Sequence, residues 1–283
     1  MLKSFPAKVL LFGEYTILSG SSALAIPFQK FSGSWSFVSS ESGERENSRK
    51  HLLNFLDNHD CQDLDIEKFR ADFDRGLWFK SSIPQGYGIG SSGALVAAIY
   101  DHFAKNKVEG FAAQKTLAHL ESFFHGSSSG LDPLVSYLQK PLKIISPTQV
   151  EIVEPDISKL GLFLVNTHRP RQTGPLVSIY KEKLKDSNFK SGCSNILSED
   201  VNCAIEYTLS SNKEKLFHHF WHISKFQWDY FQEMIPDAVK DAWRKGLDQG
   251  DFALKLCGAG GGGLILGMSK NESSLPGLDI IWP

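Results

Sequence analysis

Pro84, Gly86, Gly88, Gly90, Ser91, Ser92 and Gly93 run without interruption into a segment rich in alanine, leucine and isoleucine. That segment carries no breaker after Gly93, so it predicts a buried helix over 92–104. Any fold for this chain must therefore bury a helix while leaving a glycine and serine loop at its N-terminus. Glycines let backbone N–H groups approach an anion closely, and a helix N-terminus adds free donors and partial positive charge. A polyphosphate fits such a loop; a tight turn joining two elements has the same composition.

Gly88, Gly90 and Gly93 also satisfy GxGxxG, the dinucleotide fingerprint. That fingerprint needs an apolar strand immediately before it and an acidic residue closing a second strand about 20 residues later. Here Ser81, Ser82, Ile83, Pro84 and Gln85 precede it, and Glu109 follows a helix ending near Lys105 and Lys107. The context disagrees with dinucleotide binding. A P-loop fails as well, because no Gly-Lys-Ser/Thr closes the loop.

At 283 residues, and roughly 150 per domain, the chain predicts two domains. Its 41% apolar and 22% charged residues fit a globular protein and neither a disordered nor a fibrous one. Lys and Arg number 30 against 32 Asp and Glu, a net charge of −2, which offers no electrostatic footprint for nucleic acid or an anionic membrane. Cys61, Cys193, Cys203 and Cys257 form no CxxC pair, which argues against a zinc site and a disulfide-stapled scaffold and for a reducing, cytoplasmic compartment. The longest unbroken apolar stretch, 94–100, is far short of the roughly 18–20 residues of a membrane-spanning helix. The run 9–12, ended by Gly13 and Glu14, is too short for a signal-peptide core.

Residues 8–12 and 34–38 read as strands. The polar stretch 39–49 reads as an exposed loop, continued by a short amphipathic helix over 51–56. Helical spacing returns over 112–124 and after Pro133 to 138, while 142–146 and 161–167 read as strands. Leu216, Phe220, Ile223 and Tyr230 fall on one face of a long aromatic-rich helix. A second helix follows over 238–247, and 254–257, 263–267 and 278–282 are strand candidates. Short strands and prolines between Pro141 and Pro155 mark an approximate seam, giving domains over 1–145 and 146–283. Strands and helices mix without regular βα alternation, which predicts an α+β architecture.

A second constellation is Glu121 followed by His125, Gly126, Ser129, Gly130 and Asp132. A glutamate ending one helix and an aspartate on the next turn can converge as a metal ligand and a base must. Equally, Asp132 can cap the helix at Pro133 while Glu121 faces water. His125 reads as a packing or hydrogen-bonding residue. His218, His219 and His222 read as helix surface and core edge, since no cysteine or further carboxylate stands at ligand spacing. Lys255, Leu256, Cys257, Gly258 and Ala259 lead into four consecutive glycines, Gly260, Gly261, Gly262 and Gly263. Ordering these costs conformational entropy, so close backbone packing or approach to a ligand is expected there.

Pro6, Ala7 and Lys8 with Phe12, Gly13, Glu14 and Tyr15, then 84–94, then 255–263, resemble in order the three signature segments of the GHMP kinases. These are the small-molecule kinases named for galactose, homoserine, mevalonate and phosphomevalonate, and the resemblance spans nearly the whole chain. Within them, His125-Gly126-Ser127-Ser128-Ser129-Gly130-Leu131-Asp132 resembles the mevalonate kinase segment HGxxSGxD, and Glu121 stands eleven residues before the aspartate as in that branch. Two departures stand out. Phe12-Gly13-Glu14-Tyr15 replaces the His-Gly-Glu-His of mevalonate kinases and is closer to phosphomevalonate kinases, and Cys257 replaces the usual Thr or Ser of the third segment.

The resemblance implies a two-domain α+β GHMP kinase fold: an N-terminal α+β domain carrying the glycine loop, a C-terminal ferredoxin-like α+β domain, and an active site in the cleft between them. It implies ATP-dependent phosphorylation of the primary hydroxyl of mevalonate. Phosphomevalonate, or the acceptor of another GHMP small-molecule kinase, is the alternative, and a catalytically silent nucleotide or metabolite sensor is a further reading. Asp132 would be the base or orienter for the hydroxyl and Lys8 its cation; Ser92 and Glu121 would hold Mg²⁺. Pro84, Gly86, Gly88, Gly90, Ser91, Ser92 and Gly93 would surround the triphosphate of ATP, and Glu14, Tyr15 and Thr173 would face the acceptor. His168, Arg169 and Arg171 add positive charge near Thr173, and arginines favour bidentate binding of carboxylate or phosphate. Homodimers are common among such kinases, so a second copy is an expected partner beside the small-molecule substrate.

Overall fold

The computed structural model describes residues 3–37, 43–146, 148–171, 173–271, 275 and 277–282. The chain divides into two compact units. One comprises Met1–Lys8, Pro27–Pro84 and Gly90–Lys140; the other comprises Val9–Ile26, Gln85–Ile89 and Pro141–Pro283. Strands β1 (Ser4–Phe12) and β2 (Ala23–Ser36) contribute residues to both.

The first unit adds α1 (Glu44–Asn58), α2 (Ile66–Asp74), β3 (Trp78–Ser81), α3 (Ser91–Phe103), α4 (Gln114–His125) and α5 (Leu131–Leu138). β3 lies antiparallel to the 33–36 end of β2, pairing Gly33 with Ser81 and Ser36 with Trp78. The small side chains of Ala94, Ala97 and Ala98 let neighbours close around α3, which is buried on nearly every side. Beside it an aromatic cluster forms the core: Phe69 stacks on Phe103 at 4.1 Å, and Trp35 meets Phe79 and Phe103 edge-on. Each such ring contributes roughly 1.5–3 kcal/mol through burial.

The polar stretch expected as a loop over 39–49 is instead helical from Glu44 onward, residues 38–42 lying outside the described ones. Glu44 and Glu46 favour the positive end of α1, and Lys50 pairs with Glu46 one turn on at 3.0 Å. The apolar face that pins this helix, Leu52, Phe55 and Leu56, lies wholly in its second half. Its first turns therefore carry no hydrophobic period to read.

The second unit holds β4 (Leu142–Ser146), β5 (Gln149–Ile152) and β6 (Leu162–Asn166). The helices α6 (Thr173–Lys183), α7 (Ser187–Ser191), α8 (Ser198–Leu209), α9 (Lys213–Tyr230) and α10 (Asp237–Gln249) follow. β7 (Phe252–Leu256), β8 (Leu264–Ser269) and β9 (Ile280–Ile281) complete it. β4 pairs antiparallel with the Ala23, Leu24 and Ala25 end of β2. The last four strands form an antiparallel sheet in the order β7-β8-β6-β9, the strand order of a ferredoxin-like sheet. α9 and α10 pack on β7, so β6, β7 and β8 read as near-continuous apolar runs. Among the described residues no helix is long and apolar enough to cross a membrane.

Candidate active site

Residues 84–90, of which Gln85–Ile89 count with the second unit, lead from β3 into α3 of the first. Gly90 sits at the helix start with φ 76°, a left-handed conformation that only glycine adopts without strain, and no side chain caps the helix. The N–H groups of the first turn, Ser91 and Ser92 among them, therefore lack intrahelical acceptors and point toward whatever occupies the loop. A side chain at Gly90 would stand 2.8 Å from Lys8 Cγ, and one at Gly93 would stand 3.0 Å from the backbone between Asp132 and Pro133. The absent side chains let β1 and α5 close directly on the start of α3.

α5 is fastened to β1: Ser136 Oγ donates to the Pro6 carbonyl at 2.8 Å and Gln139 Nε2 to the Ser4 carbonyl at 2.7 Å. This sets Lys8 Nζ 2.9 Å from Asp132 Oδ1. The lysine side chain is 9% exposed and the aspartate 44%, so the cation is held inside while the carboxylate remains open to an incoming molecule. Glu121, on the last turn of α4, is 4% exposed. Ser128 donates to its Oε2 and accepts from the Gly130 N–H, while Ser92 Oγ and His125 Nε2 lie 2.8 Å apart. Within this one unit Lys8, Ser92, Glu121 and Asp132 thus come together. Ser128, which orients Glu121, had no distinguishing sequence signal among its serine neighbours.

Burial pushes the Glu121 carboxyl up to about 7; the Asp132 charge adds to this, while the Ser128 hydroxyl, Lys8 and Ser92 pull the other way. Between its ordinary value of 4.5 and about 7 the folded protein keeps a proton that the unfolded chain releases. Stability from this group is complete below 4.5 and declines as pH rises through the window. In metal-free buffer, the melting temperature of Glu121→Gln relative to the parent should rise from pH 5 to pH 7. A difference that stays constant across that range contradicts the burial argument.

The first half of the glycine loop belongs to the second unit, where it packs on the third glycine segment. The Arg171 backbone N–H donates to the Gly86 carbonyl at 2.8 Å, and its Nη1 donates to the Cys257 carbonyl at 2.6 Å. The guanidinium lies so close over Gly88 that a Cβ there would be 1.7 Å from Nη2. Arg171 Nε is buried without a hydrogen-bond partner. Gly263 meets Tyr87 backbone to backbone, and its N–H donates to the Arg169 carbonyl at 2.6 Å. Close approach is thus the physical reason for these glycines. Cys257 places its Sγ 3.7 Å from the Leu10 carbonyl, and His168 pairs with Asp279 at 3.0 Å.

The residues expected near an acceptor also lie in this unit. Glu14 is buried and ion-paired with Lys255, and it accepts from Gln227 Nε2 at 3.2 Å. Gln227 in turn accepts from the Leu256 N–H at 2.7 Å. Tyr15 adopts φ 66°, donates its hydroxyl to the Ala259 carbonyl at 2.6 Å and packs on Tyr180 and Phe231. Burial pushes the Tyr15 hydroxyl's pKa upward. Thr173 is the first residue of α6, and its side chain lies outside what the structure describes. Gln227 escaped the sequence reading, although it continues the apolar stripe Leu216, Phe220 and Ile223 of α9 as a polar residue, which is a signal of buried hydrogen bonding.

Residues 52–140 match the family described as GHMP kinases N terminal domain. A search of curated proteins found no match to the chain. Among solved structures, Lactococcus lactis galactokinase complexed with galactose is 14% identical with a TM-score of 0.65, the alignment covering 94% of this chain and 84% of that one. L. major mevalonate kinase in complex with R-mevalonate is 14% identical with a TM-score of 0.64, covering 96% and 88%. Streptococcus pneumoniae phosphomevalonate kinase is 16% identical with a TM-score of 0.60, covering 97% and 92%. At these identities the likeness is one of fold. Residues 52–140 thus carry a GHMP kinase N-terminal domain, and the chain as a whole shares the fold of small-molecule kinases, which supports an ATP-dependent small-molecule kinase.

Proposed function

We propose that this kinase transfers the γ-phosphoryl group of ATP to the primary hydroxyl of mevalonate. The observation that carries the reading is the Lys8–Asp132 pair, a half-open carboxylate held by a buried cation within the unit that also presents the start of α3. Residues 84–93 surround the triphosphate, Pro84 fixing the entry of the loop and Gly86, Gly88, Gly90, Ser91, Ser92 and Gly93 admitting the anion to backbone donors. Asp132 Oδ2 accepts the proton of the attacking hydroxyl while Lys8 keeps Oδ1 fixed in direction. Because phosphoryl transfer demands little covalent help, this positioning and the neutralisation of charge supply most of the rate.

Ser92 Oγ and the Glu121 carboxylate are hard oxygen donors, the kind Mg²⁺ takes when the substrate's phosphates fill its remaining positions. Glu121 is buried near a second carboxylate, Asp132, with Lys8 as their shared cation, so the donor set fits a divalent ion. When bound, Mg²⁺ neutralises charge on the β- and γ-phosphates. In this reading residues 1–145 are the nucleotide-binding domain and 146–283 the second domain, and Glu14, Tyr15 and Thr173 are the proposed acceptor residues.

Phosphomevalonate is the second reading, favoured by Tyr15 in the place of an imidazole and by the Arg171 guanidinium against Gly88. ADP release should be measured with ATP, Mg²⁺ and each acceptor in turn. Turnover with mevalonate and not with phosphomevalonate supports the first reading, and the reverse result transfers the assignment to the second. Turnover with galactose or homoserine alone rejects both. ATP binding without turnover on any acceptor favours the sensor.

A further inference from the structure

We propose that Asp200, His219 and His222 form a binding site for a divalent transition ion of the zinc class, tying α8 to α9. The sequence gives no hint of a carboxylate near these histidines, because Asp200 lies on the preceding helix. The fold supplies it. His219 and His222 are three residues apart on α9 and share one face, and both present Nδ1 to the same oxygen of Asp200, at 2.8 Å and 3.3 Å. One donor atom from each of the three residues lies within 4.8 Å of the others.

The spacing is close to that of a ligand set. With zinc–nitrogen and zinc–oxygen distances of about 2.0–2.2 Å, neighbouring donors of a tetrahedral ion stand roughly 3.3–3.5 Å apart. The His222 contact is already at that separation, and the His219 contact widens by a rotation of one side chain. Two imidazoles and one carboxylate match the preference of zinc-class ions over Mg²⁺ or Ca²⁺, and three protein ligands leave a fourth position for water. Access is open on one side: the side chains of Asp200, His219 and His222 are 13%, 20% and 40% exposed.

Second contacts hold the ligands in place. Tyr207 of α8 stacks on the His219 ring at 5.5 Å, and His218 packs on His222 at 4.2 Å. Each ligating imidazole moves its proton from Nδ1, where it now serves Asp200, to Nε2, freeing the Nδ1 lone pair with no net loss of a proton. The ion replaces two hydrogen bonds to one carboxylate oxygen by three bonds to itself. α8 and α9 pack extensively on each other, so the bridge joins elements that are already neighbours and needs no rearrangement of the helices.

The test is calorimetric titration of the untagged, EDTA-treated protein with ZnCl₂, repeated on His219→Ala, His222→Asn, Asp200→Asn and Cys203→Ser. Loss of a mere orienting partner costs metal affinity about 10–100-fold, so loss of a ligand should weaken zinc binding by at least that much in the first three variants and leave Cys203→Ser unchanged. His222 is half-exposed, so its variant should melt with the parent in the absence of metal and separates ligand loss from misfolding. Substituted Co²⁺ should give the visible absorption of a four-coordinate nitrogen and oxygen site, again lost in His222→Asn. Absence of saturable zinc binding, or zinc binding unchanged in the histidine variants, overturns the proposal whatever the kinase activity does.

Discussion

Asp132→Asn should lower kcat by about 10²–10⁴-fold, the usual contribution of a positioned proton acceptor, while ATP binding changes little. The amide keeps the shape of the carboxylate but cannot take the hydroxyl proton. It also removes the carboxylate paired with Lys8, which is almost wholly buried at 9% side-chain exposure, leaving Glu121 as the nearby acid. Folding should survive, because residue 132 lies in the first turn of α5, where Asn is tolerated, and Ser136 and Gln139 still fasten that helix to β1. Steady-state kinetics with calorimetric ATP binding separates the effects: kcat should fall while the Kd for ATP stays within a few-fold of the parent. An unchanged kcat removes Asp132 from the reaction, and a lost ATP site with normal folding reassigns it to nucleotide binding.

Lys255→Met should be among the most destabilising single changes in the chain. Lys255 has no exposed surface; it pairs with Glu14 and donates to the carbonyls of Leu11 at 2.9 Å and Leu256 at 2.7 Å. Methionine keeps most of the stem volume but leaves a buried carboxylate facing no cation, and Glu14 Oε2 has no hydrogen-bond partner of its own. Breaking a buried pair from one side costs about 3–5 kcal/mol, which for a chain of this length lowers Tm by roughly 10 °C. Glu14→Gln in the same chain should restore part of that loss, since it removes the stranded charge. Thermal melts of the two single variants and the double variant test this, and a Lys255→Met melt within two or three degrees of the parent would sink it.

The two ion pairs illustrate what was legible. Lys8, Ser92, Glu121 and Asp132 were identifiable one by one, each embedded in a short segment of recognisable composition. Glu14 was legible too, as part of a segment resembling a known signature, but its partner was not. Lys255 and Leu11 are 244 positions apart, and Gln227 and Glu14 are 213 apart. No local period records such pairings. The misread start of α1 has the opposite cause. Its first turns are stabilised by charge at the helix end and by the Glu46–Lys50 pair, neither of which leaves an apolar stripe. The reading of His218, His219 and His222 as surface and core edge missed the carboxylate because Asp200 reaches His219 and His222 from another helix.

The amino-acid sequence by itself determined the elements whose signal is local: a buried alanine-rich helix, the glycine loop at its start, the long aromatic helix, and three segments that resemble in order those of a kinase family. Local order follows from side-chain spacing of 3.6 or 2 residues and from backbone freedom at glycine, both of which are written over a few consecutive positions. Only the tertiary structure decided that Arg171 lies over Gly88, that Gln227 serves both Glu14 and Leu256, and that Asp200 meets two histidines. Those meetings depend on how packed helices and strands present their faces to each other, a geometry that no stretch of chain specifies until the core has closed around it.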